Sequence, residues 1–250
     1  MPEPEAAVAI LHAAPPDDSV LLMRRAERAG DSWSGHWSFP GGRCEPGDVD
    51  LLHTALRELE EECGIRLRRA DLLATLPHRV AGSRVGAFLL VAPFLLRAPG
   101  ELATILDPLE AAHSAWIPLS LLRDPARHRL RNVPNAAPEL YFPAVDLDAA
   151  PLWGFTWRVL VEWLALGPRQ DTRAVADALL EFVLARGCTL AHGWKDCAAS
   201  VRGPIPVDEL LAHFGQPGPH IFGIQRLEVR PERLRLIGPE MQDYVIHAAM

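Results

Sequence analysis

The sequence predicts a mixed α/β fold, with one sheet and flanking helices, followed by a smaller α+β domain. Two observations carry this prediction. Short runs rich in Val, Ile and Leu alternate with segments of helical periodicity up to about residue 166. A polar, turn-rich stretch at 167–171 then separates this pattern from roughly 80 further residues. We therefore expect one domain at 1–168 and a second domain, with no assigned role, at 169–250.

The elements of the two domains follow from local patterns in the sequence. Runs of β-branched and leucine residues predict strands at 6–13, 20–25, 72–78, 85–96, 115–117 and 140–145. Apolar residues at helical spacing predict helices at 50–63 and 155–166, with a short helix after Pro118. The second domain is expected to contain helices at 172–186, 207–214 and 240–248, and a hairpin formed by 221–229 and 233–237. Asp171 and Gly187 fit the two ends of the helix at 172–186.

The composition is ordinary for a globular protein and excludes two classes of partner. Apolar residues make up 49% of the chain, charged residues make up 23%, and the formal net charge is −7. Nucleic acids and anionic membranes both require a basic surface, so we expect neither as a partner. The N-terminus does not resemble a signal peptide, and no apolar run reaches the roughly 18 residues of a membrane span. The four scattered cysteines do not form a secreted disulfide pattern, so a cytoplasmic location is expected.

The segment that carries the chemistry joins a Gly-Gly turn to an acidic helix. Gly41-Gly42 bends the backbone sharply and leaves its peptide groups free to face a ligand. On the helix that follows, Glu58, Glu61 and Glu62 stand at i, i+3 and i+4 and therefore share one face. Carboxylates this close repel one another unless a cation compensates them, and hard oxygen ligands suit Mg²⁺ or Mn²⁺. A solvated acidic face is the alternative interpretation.

Further residues around this helix favour the metal site. Arg57 lies four residues before Glu61 and can pair with its carboxylate. Gly64 supplies the left-handed position that ends a helix, and Asp48 or Asp50 can cap the first turn. An acidic face exposed to solvent does not require this combination at a fixed distance from a Gly-Gly turn.

These residues resemble the Nudix box, Gly-x5-Glu-x7-Arg-Glu-U-x-Glu-Glu-x-Gly-U, where U is aliphatic. The second half matches fully, from Arg57 to Ile65. In the first half Arg57 comes one residue later than the pattern requires, and the acidic position is Asp48. This longer spacing, with Phe-Pro-Gly-Gly at 39–42 and Thr-Ala-Leu-Arg-Glu at 54–58, is similar to the branch that cleaves coenzyme A and its derivatives. The resemblance covers roughly residues 5–166.

The resemblance implies a Nudix α/β/α sandwich with a mixed sheet and a Mg²⁺- or Mn²⁺-dependent pyrophosphohydrolase. The substrate would be a nucleoside diphosphate linked to another moiety, with coenzyme A or its derivatives as a candidate. The alternative is a non-catalytic, regulatory Nudix-scaffold protein whose C-terminal domain binds a partner. Retention of all three carboxylates favours the enzyme, and the C-terminal domain is compatible with a regulatory role or with a homodimer.

The resemblance also implies roles for individual residues. The expected metal ligands are the principal pair Glu58 and Glu62, then Glu61, with the Gly42 carbonyl oxygen completing the set. Arg57 would orient a ligand carboxylate. The general base is either a box glutamate such as Glu61 or a glutamate from a later loop. Glu110 is the candidate from a later loop, although a solvated loop glutamate is an equally good interpretation of it.

Candidates for substrate binding lie near the Gly-Gly turn. Arg25 and Arg43 are candidates for contacts with substrate phosphates. His36 is a candidate for a polar contact, and Phe39 is a candidate for stacking on a base. The alternatives are surface positions for the two arginines and structural positions for the two rings.

Overall fold

The computed structural model describes residues 3–30, 33–82, 89–148, 150–166 and 171–249. Its α-helices are α1 (Leu51–Cys63), α2 (Leu119–Arg123), α3 (Gly154–Trp163), α4 (Thr172–Ala185) and α5 (Val207–Phe214). Its strands are β1 (Ala6–Ala13), β2 (Ser19–Arg25), β3 (Trp37–Ser38), β4 (Gly41–Arg43), β5 (Leu72–Thr75), β6 (Arg79–Ala81), β7 (Leu89–Ala98), β8 (Ala111–Pro118), β9 (His128–Arg131), β10 (Leu140–Asp146), β11 (Pro151–Trp153), β12 (Thr189–Lys195), β13 (Ala198–Arg202), β14 (Arg226–Arg230), β15 (Arg233–Ile237) and β16 (Asp243–Ala249).

These elements form two compact units whose limits differ from the predicted domains. The first unit contains the residues up to Arg123 together with Leu147–Leu164. The second contains Asp124–Asp146 together with the residues from Ala165 onward. The predicted boundary at 168/169 therefore assigns residues 124–146 to the wrong side. The physical reason is strand pairing, because β10 is hydrogen-bonded to β14, about 85 residues later in the chain.

The sheet of the first unit is mixed. Its strand order is β3-β2-β1-β7-β5, and β4 also pairs with β1, β6 with β7, and β8 with β2. β1 and β7 run parallel, whereas the other pairs are antiparallel. The strand β1 is therefore central, and it brings β4 next to the middle of the sheet. The mixed sheet predicted from the sequence is confirmed.

The helices α1 and α3 cover opposite faces of this sheet. Ala7, Ala9 and Leu11 of β1 belong to a buried core that also contains the apolar side of α1. His12 follows Leu11 and so faces the other side of the sheet. There its ring contacts Trp163 of α3, with the ring centroids 5.5 Å apart. This arrangement confirms the predicted α/β/α sandwich.

The second unit is α+β, as predicted. Its strands are ordered β10-β14-β15-β16-β13-β12, with β9 also pairing with β10. β13 and β16 run parallel.

The helix α4 packs against β15 and β16. Its N-cap is Asp171, whose carboxylate accepts a hydrogen bond from the backbone N–H of Arg173 at 2.9 Å. Gly187 follows the helix with a φ of 96°, so both predicted ends are present.

The predicted helix at 240–248 is wrong, because most of this segment belongs to the strand β16, Asp243–Ala249. β16 is antiparallel to β15 and parallel to β13, so it is hydrogen-bonded along both edges. Val245 and Ile246 are β-branched and suit this extended backbone. One partner, β13, lies far earlier in the sequence, so local periodicity alone does not predict the strand.

Other predicted limits change by a few residues. The hairpin is formed by β14 and β15, and residues 221–223 belong to a 3₁₀ turn. The predicted strand at 115–117 is the end of the longer β8. The predicted strand at 85–96 falls partly outside the described residues, and its described part belongs to β7. No helix in the described ranges is both long and apolar enough to cross a bilayer.

The end of α1 depends on a glycine, which generates a first prediction. Gly64 has a φ of 67°, and a Cβ atom there would lie 2.9 Å from Cβ of Ile105. We expect Gly64→Ala to lower the free energy of unfolding by about 1–2 kcal/mol, because the left-handed backbone is strained for alanine. Chemical denaturation measures this loss. Gly47→Ala is the matched control, since a Cβ there meets no atom within 4 Å. Equal losses in the two variants would contradict the argument.

The second unit contains a half-buried histidine that predicts a dependence of stability on pH. Burial lowers the pKa of His220 below its ordinary value of 6.5, and the nearby charge of His213 acts in the same direction. The folded state therefore favours the neutral ring. Its contribution to stability is present above pH 6.5 and is lost as the pH falls below that value.

The expected result is a lower melting temperature at pH 5.5 than at pH 7.5. His220→Gln should narrow this difference, because glutamine stays neutral and can still donate to the Phe214 carbonyl, which Nε2 of His220 contacts at 2.9 Å. The exposed His247 provides the control variant His247→Gln. Thermal unfolding followed by circular dichroism makes the comparison. An unchanged difference in His220→Gln would refute the role of this ring.

Candidate active site

The Gly-Gly turn lies directly against the central strand of the first unit. Gly41 and Gly42 pair with Val8 and Ala7 of β1. Gly41 has a φ of 157°, and a Cβ atom there would lie 2.4 Å from the carbonyl oxygen of Ala7. Because the obstructing atom is backbone, no other side chain fits without moving the strand. The turn is therefore held in place by the sheet.

The helix α1 is fixed at both ends and along its inner side. Asp50 is its N-cap, and its carboxylate accepts the backbone N–H of His53 at 2.8 Å. Gly64 ends the helix and donates its N–H to the Glu60 carbonyl at 2.9 Å. The apolar side of α1, which includes Leu59, packs into the core beneath the sheet. These contacts determine which glutamates face the Gly-Gly turn.

Glu62 joins the helix to the turn. Its Oε2 accepts the backbone N–H of Gly41 at 2.8 Å, and the residue is only 4% exposed. Burial raises the pKa of Glu62 to about 8, and the negative charge of Glu58 acts in the same direction. The buried position therefore disfavours the charged form of this carboxyl group unless a cation compensates it.

Glu58 lies against the second glycine of the turn. A Cβ atom on Gly42 would lie 2.2 Å from Oε1 of Glu58, so the approach depends on glycine. The side chain of Glu58 is 16% exposed, and its Oε1 lies 3.0 Å from Nη2 of Arg57. Burial raises the pKa of Glu58, an effect that the Arg57 charge opposes and the Glu61 charge increases.

Arg57 connects the helix to the loop that precedes it. Its Nη1 donates to Oε2 of Glu61 at 2.7 Å, and its Nη2 donates to the Arg43 carbonyl at 3.1 Å. Its Nε and Nη2 donate to the two carboxylate oxygens of Asp48 at 3.1 and 3.2 Å. The hydrogen bonds from Arg57 hold the pKa of Asp48 well below its usual value. Arg57 thus orients both Glu61 and the loop.

Glu110 and Arg25 approach the same site from the end of β2. The backbone carbonyl of Glu110 accepts the N–H of Ala26 at 2.8 Å, and Arg25 pairs with Ala111 in the sheet. Both side chains affect Glu62: the positive charge of Arg25 lowers its pKa and the negative charge of Glu110 raises it. Glu110 is therefore within electrostatic range of the buried carboxylate.

Comparison with known proteins places this arrangement in a family. The NUDIX domain family model matches residues 3–136, more than half of the chain. The chain belongs to the Nudix family. The box residues 57–65 and the turn at 39–42 lie within the matched range.

Relatives of this Nudix chain match it over part of their lengths. The mitochondrial coenzyme A diphosphatase NUDT8 of Homo sapiens is 47% identical over 47 residues, which is 19% of this chain and 20% of that protein. The uncharacterized Nudix hydrolase NudL of Photorhabdus laumondii is 35% identical over 106 residues, 42% of this chain and 54% of that protein. The Nudix chain thus spans between a fifth and about half of the lengths of these relatives.

Solved structures with similar folds are more distant in sequence. The MutT/nudix family protein from Enterococcus faecalis has a TM-score of 0.44 and 14% identity, over 73% of this chain and 74% of that chain. The NUDIX domain of Shewanella oneidensis NrtR, solved in complex with ADP ribose, has a TM-score of 0.39 and 20% identity. It covers 48% of this chain and 75% of that chain.

The Nudix box places its three glutamates in two different environments. Glu58 and Glu62 flank Gly42, whereas Glu61 is bound to Arg57 and its side chain is 58% exposed. Within the described ranges, no group of three or more His, Cys, Asp or Glu side chains is arranged to hold a metal ion. The three carboxylates were expected to share one face. In the structure Glu58 and Glu62 lie at the turn, and Glu61 lies beside them.

The predicted substrate contacts are also distributed unevenly. Phe39 is 2% exposed, so its ring packs in the core and leaves no face for a base; the stacking prediction does not fit. His36 packs edge-on against Trp153, with the ring centroids 4.9 Å apart. Arg43 is exposed and its Nη1 lies 3.1 Å from Oε2 of Glu5. Arg25 is the predicted contact that lies within range of the box glutamates.

One residue of this site was not identified from the sequence. The sequence offers Asp48 as a possible helix cap and as the acidic position of the Nudix pattern, but Asp50 is the cap and Asp48 instead binds Arg57, a partner that was not predicted. Asp48 also accepts the backbone N–H of Glu45 and the hydroxyl of Thr54, both at 2.9 Å. Its place at the acidic position of the Nudix pattern was the available signal.

The buried contacts of Asp48 generate a stability prediction. Its side chain is 1% exposed and accepts hydrogen bonds from Arg57, Thr54 and the backbone. We expect Asp48→Asn to lower the free energy of unfolding by about 1–3 kcal/mol, since one charged partner of Arg57 is lost and the amide N–H₂ faces donors. Glu45→Gln, at an exposed position in the same loop, is the matched control. Denaturant titration that gave equal stabilities for the two variants would disprove this anchoring role.

Proposed function

We propose that this Nudix chain is a Mg²⁺- or Mn²⁺-dependent pyrophosphohydrolase that cleaves a nucleoside diphosphate linked to another moiety. The observation that carries the proposal is the convergence of two carboxylates, the buried Glu62 and the partly buried Glu58, on the Gly41-Gly42 turn. A hydrolase of this kind must bring a highly anionic substrate to a site of negative charge, which requires a cation between them.

The residues at the turn fit a divalent cation. Burial raises the pKa of both Glu58 and Glu62, so the charged form of each carboxyl group is disfavoured unless a cation compensates it. Two carboxylates and the carbonyl oxygen of Gly42 are hard oxygen donors, the type that Mg²⁺ and Mn²⁺ prefer. A bound cation would supply charge neutralisation and Lewis-acid polarisation of the phosphoric anhydride. Glu61 is the additional ligand candidate, as the Nudix resemblance implies.

The remaining residues supply orientation and proton transfer. Arg57 holds Glu61 and the loop at Asp48, which keeps the acidic face of α1 in register with the turn. Glu110 is the general base in this proposal, because it approaches Glu62 from a separate loop and is not held by Arg57. Arg25 contributes positive charge near the same carboxylate and is suited to a substrate phosphate.

Coenzyme A and its derivatives are the proposed substrates. Two relatives, from Mus musculus and Homo sapiens, are named mitochondrial coenzyme A diphosphatases. The Nudix box of this chain has the extended spacing that resembles the coenzyme A branch. The contacts of Asp48 with Arg57 and Thr54 give the extended loop a defined anchor. The NudL relative has no substrate in its name. The coenzyme A assignment therefore depends on the names of the two diphosphatases and on the extended spacing of the box.

A hydrolysis screen with a paired variant tests the proposal. Purified protein is incubated with Mg²⁺ or Mn²⁺ and coenzyme A, NADH, ADP-ribose, dinucleoside polyphosphates or nucleoside triphosphates. We expect metal-dependent cleavage of coenzyme A, abolished by a chelator. Glu62→Gln should lower the rate by about 100-fold or more, because a metal ligand is lost.

The control for this experiment lies on the same helix. Glu60 is exposed and bonded to Arg66, so Glu60→Gln should keep the wild-type rate. If another compound were hydrolysed and coenzyme A were not, only the coenzyme A assignment would be rejected. No turnover of any compound would reject the hydrolase and leave the regulatory alternative, whereas a full rate in Glu62→Gln would reject the metal site at the turn.

A further inference from the structure

Arg28 lies in the loop after β2 and contacts the proposed general base. Its Nη2 lies 3.0 Å from Oε1 of Glu110 and also donates to the backbone carbonyl of Leu109. The two partners are separated by 82 positions in the sequence. Neither the sequence pattern nor the box assigns a role to Arg28.

The backbone of Glu110 is held without the Arg28 side chain. Its carbonyl accepts the N–H of Ala26 at 2.8 Å, and its N–H donates to the Asp107 carbonyl at 3.0 Å. The same loop is attached to the end of α1, where the N–H of Ile105 donates to the Cys63 carbonyl at 2.9 Å. The Cα position of Glu110 is therefore fixed from both sides. What Arg28 adds is a direction for the carboxylate.

The backbone of Arg28 is also fixed. Its N–H donates to Oγ of Ser34 at 2.8 Å, in the segment that leads to β3 and the Gly-Gly turn. The Arg28 and Glu110 side chains are 44% and 37% exposed. An ion pair this exposed contributes little to folding stability. Its effect is therefore expected on the orientation of Glu110 and not on the stability of the unit.

We propose that Arg28 is a positioning residue that holds the Glu110 carboxylate in the orientation needed to accept a proton; this rests on the proposed function. A glutamate side chain rotates about three bonds, and only a fraction of its rotamers point toward the carboxylates of α1. A guanidinium bonded to one carboxylate oxygen restricts that rotation and leaves the other oxygen available. Proton transfer requires hydrogen-bond geometry, so the rate depends on the fraction of molecules with the carboxylate in place.

A double-mutant cycle tests this proposal. We expect Arg28→Gln to lower kcat about tenfold with KM changed less than about twofold, and Glu110→Gln to lower kcat by about 100-fold. In the Glu110→Gln background, Arg28→Gln should cause no further loss, because its effect passes through Glu110. Arg28→Lys should have a higher kcat than Arg28→Gln, since the lysine ammonium can also bind the Glu110 carboxylate. Arg66→Gln, at an exposed arginine bonded to Glu60, is the control with an unchanged rate.

Several results would overturn the proposal. Additive losses in the double variant, or a raised KM with unchanged kcat, would mean that Arg28 contacts substrate directly. An unchanged rate in Glu110→Gln would remove the group that Arg28 is proposed to position, while the hydrolase itself would stand.

A structural readout separates this proposal from the proposed function. A crystal structure of Arg28→Gln should show the Glu110 backbone in place and its carboxylate in several rotamers. A single, unchanged rotamer would refute the positioning role whether or not the protein hydrolyses any compound. Failure of the wild-type protein in the substrate screen would instead refute the proposed function, and with it the catalytic purpose of the contact, whereas the rotamer comparison would still decide whether Arg28 orients Glu110.

Discussion

The hydrogen bond between the Glu62 carboxylate and the backbone N–H of Gly41 connects the two halves of the candidate site. It requires the turn to lie within reach of α1, and the turn does so only because Gly41 approaches the backbone of β1 more closely than any side chain allows. It also requires α1 to present Glu62 inward, which its N-cap, its terminal glycine and its apolar side determine. The position of Glu58 against Gly42 follows from the same constraint.

Local signals in the sequence were sufficient for α1 and its turn. The i, i+3, i+4 spacing of the glutamates, the glycine at the helix end and the two turn glycines are all properties of neighbouring residues, and the fold keeps them. The strand β16 and the segment 124–146 were assigned wrongly for a common reason. The strand β10 pairs with the distant β14, and β16 pairs with the distant β13 as well as with the neighbouring β15, and this pairing overrides weak local preferences.

The same distinction applies within the site. Arg57 and the box glutamates could be predicted because they occupy one helix, where spacing determines the neighbours. Asp48 was within the motif, but the choice between capping the helix and binding Arg57 depends on the path of the loop. Arg28 could not be found, since its contact with Glu110 is made only when two distant loops meet. Phe39 takes the structural position that was the alternative to stacking, since an aromatic residue beside a functional turn gives the same sequence pattern whether it packs inward or outward.

The surroundings of the acidic residues of α1 distinguish between two interpretations, a metal site and a solvated face. Glu60 is exposed and bonded to Arg66, and Glu61 is exposed and bonded to Arg57. Solvent and an arginine therefore compensate the charge of both carboxylates, as on an ordinary surface helix. At the turn Glu62 is buried and Glu58 is partly buried, and burial raises the pKa of each. A merely solvated face would place all four carboxylates in similar surroundings. This helix instead withdraws Glu58 and Glu62 from solvent beside the two glycines of the turn, and a ligand that compensates their charge is expected there.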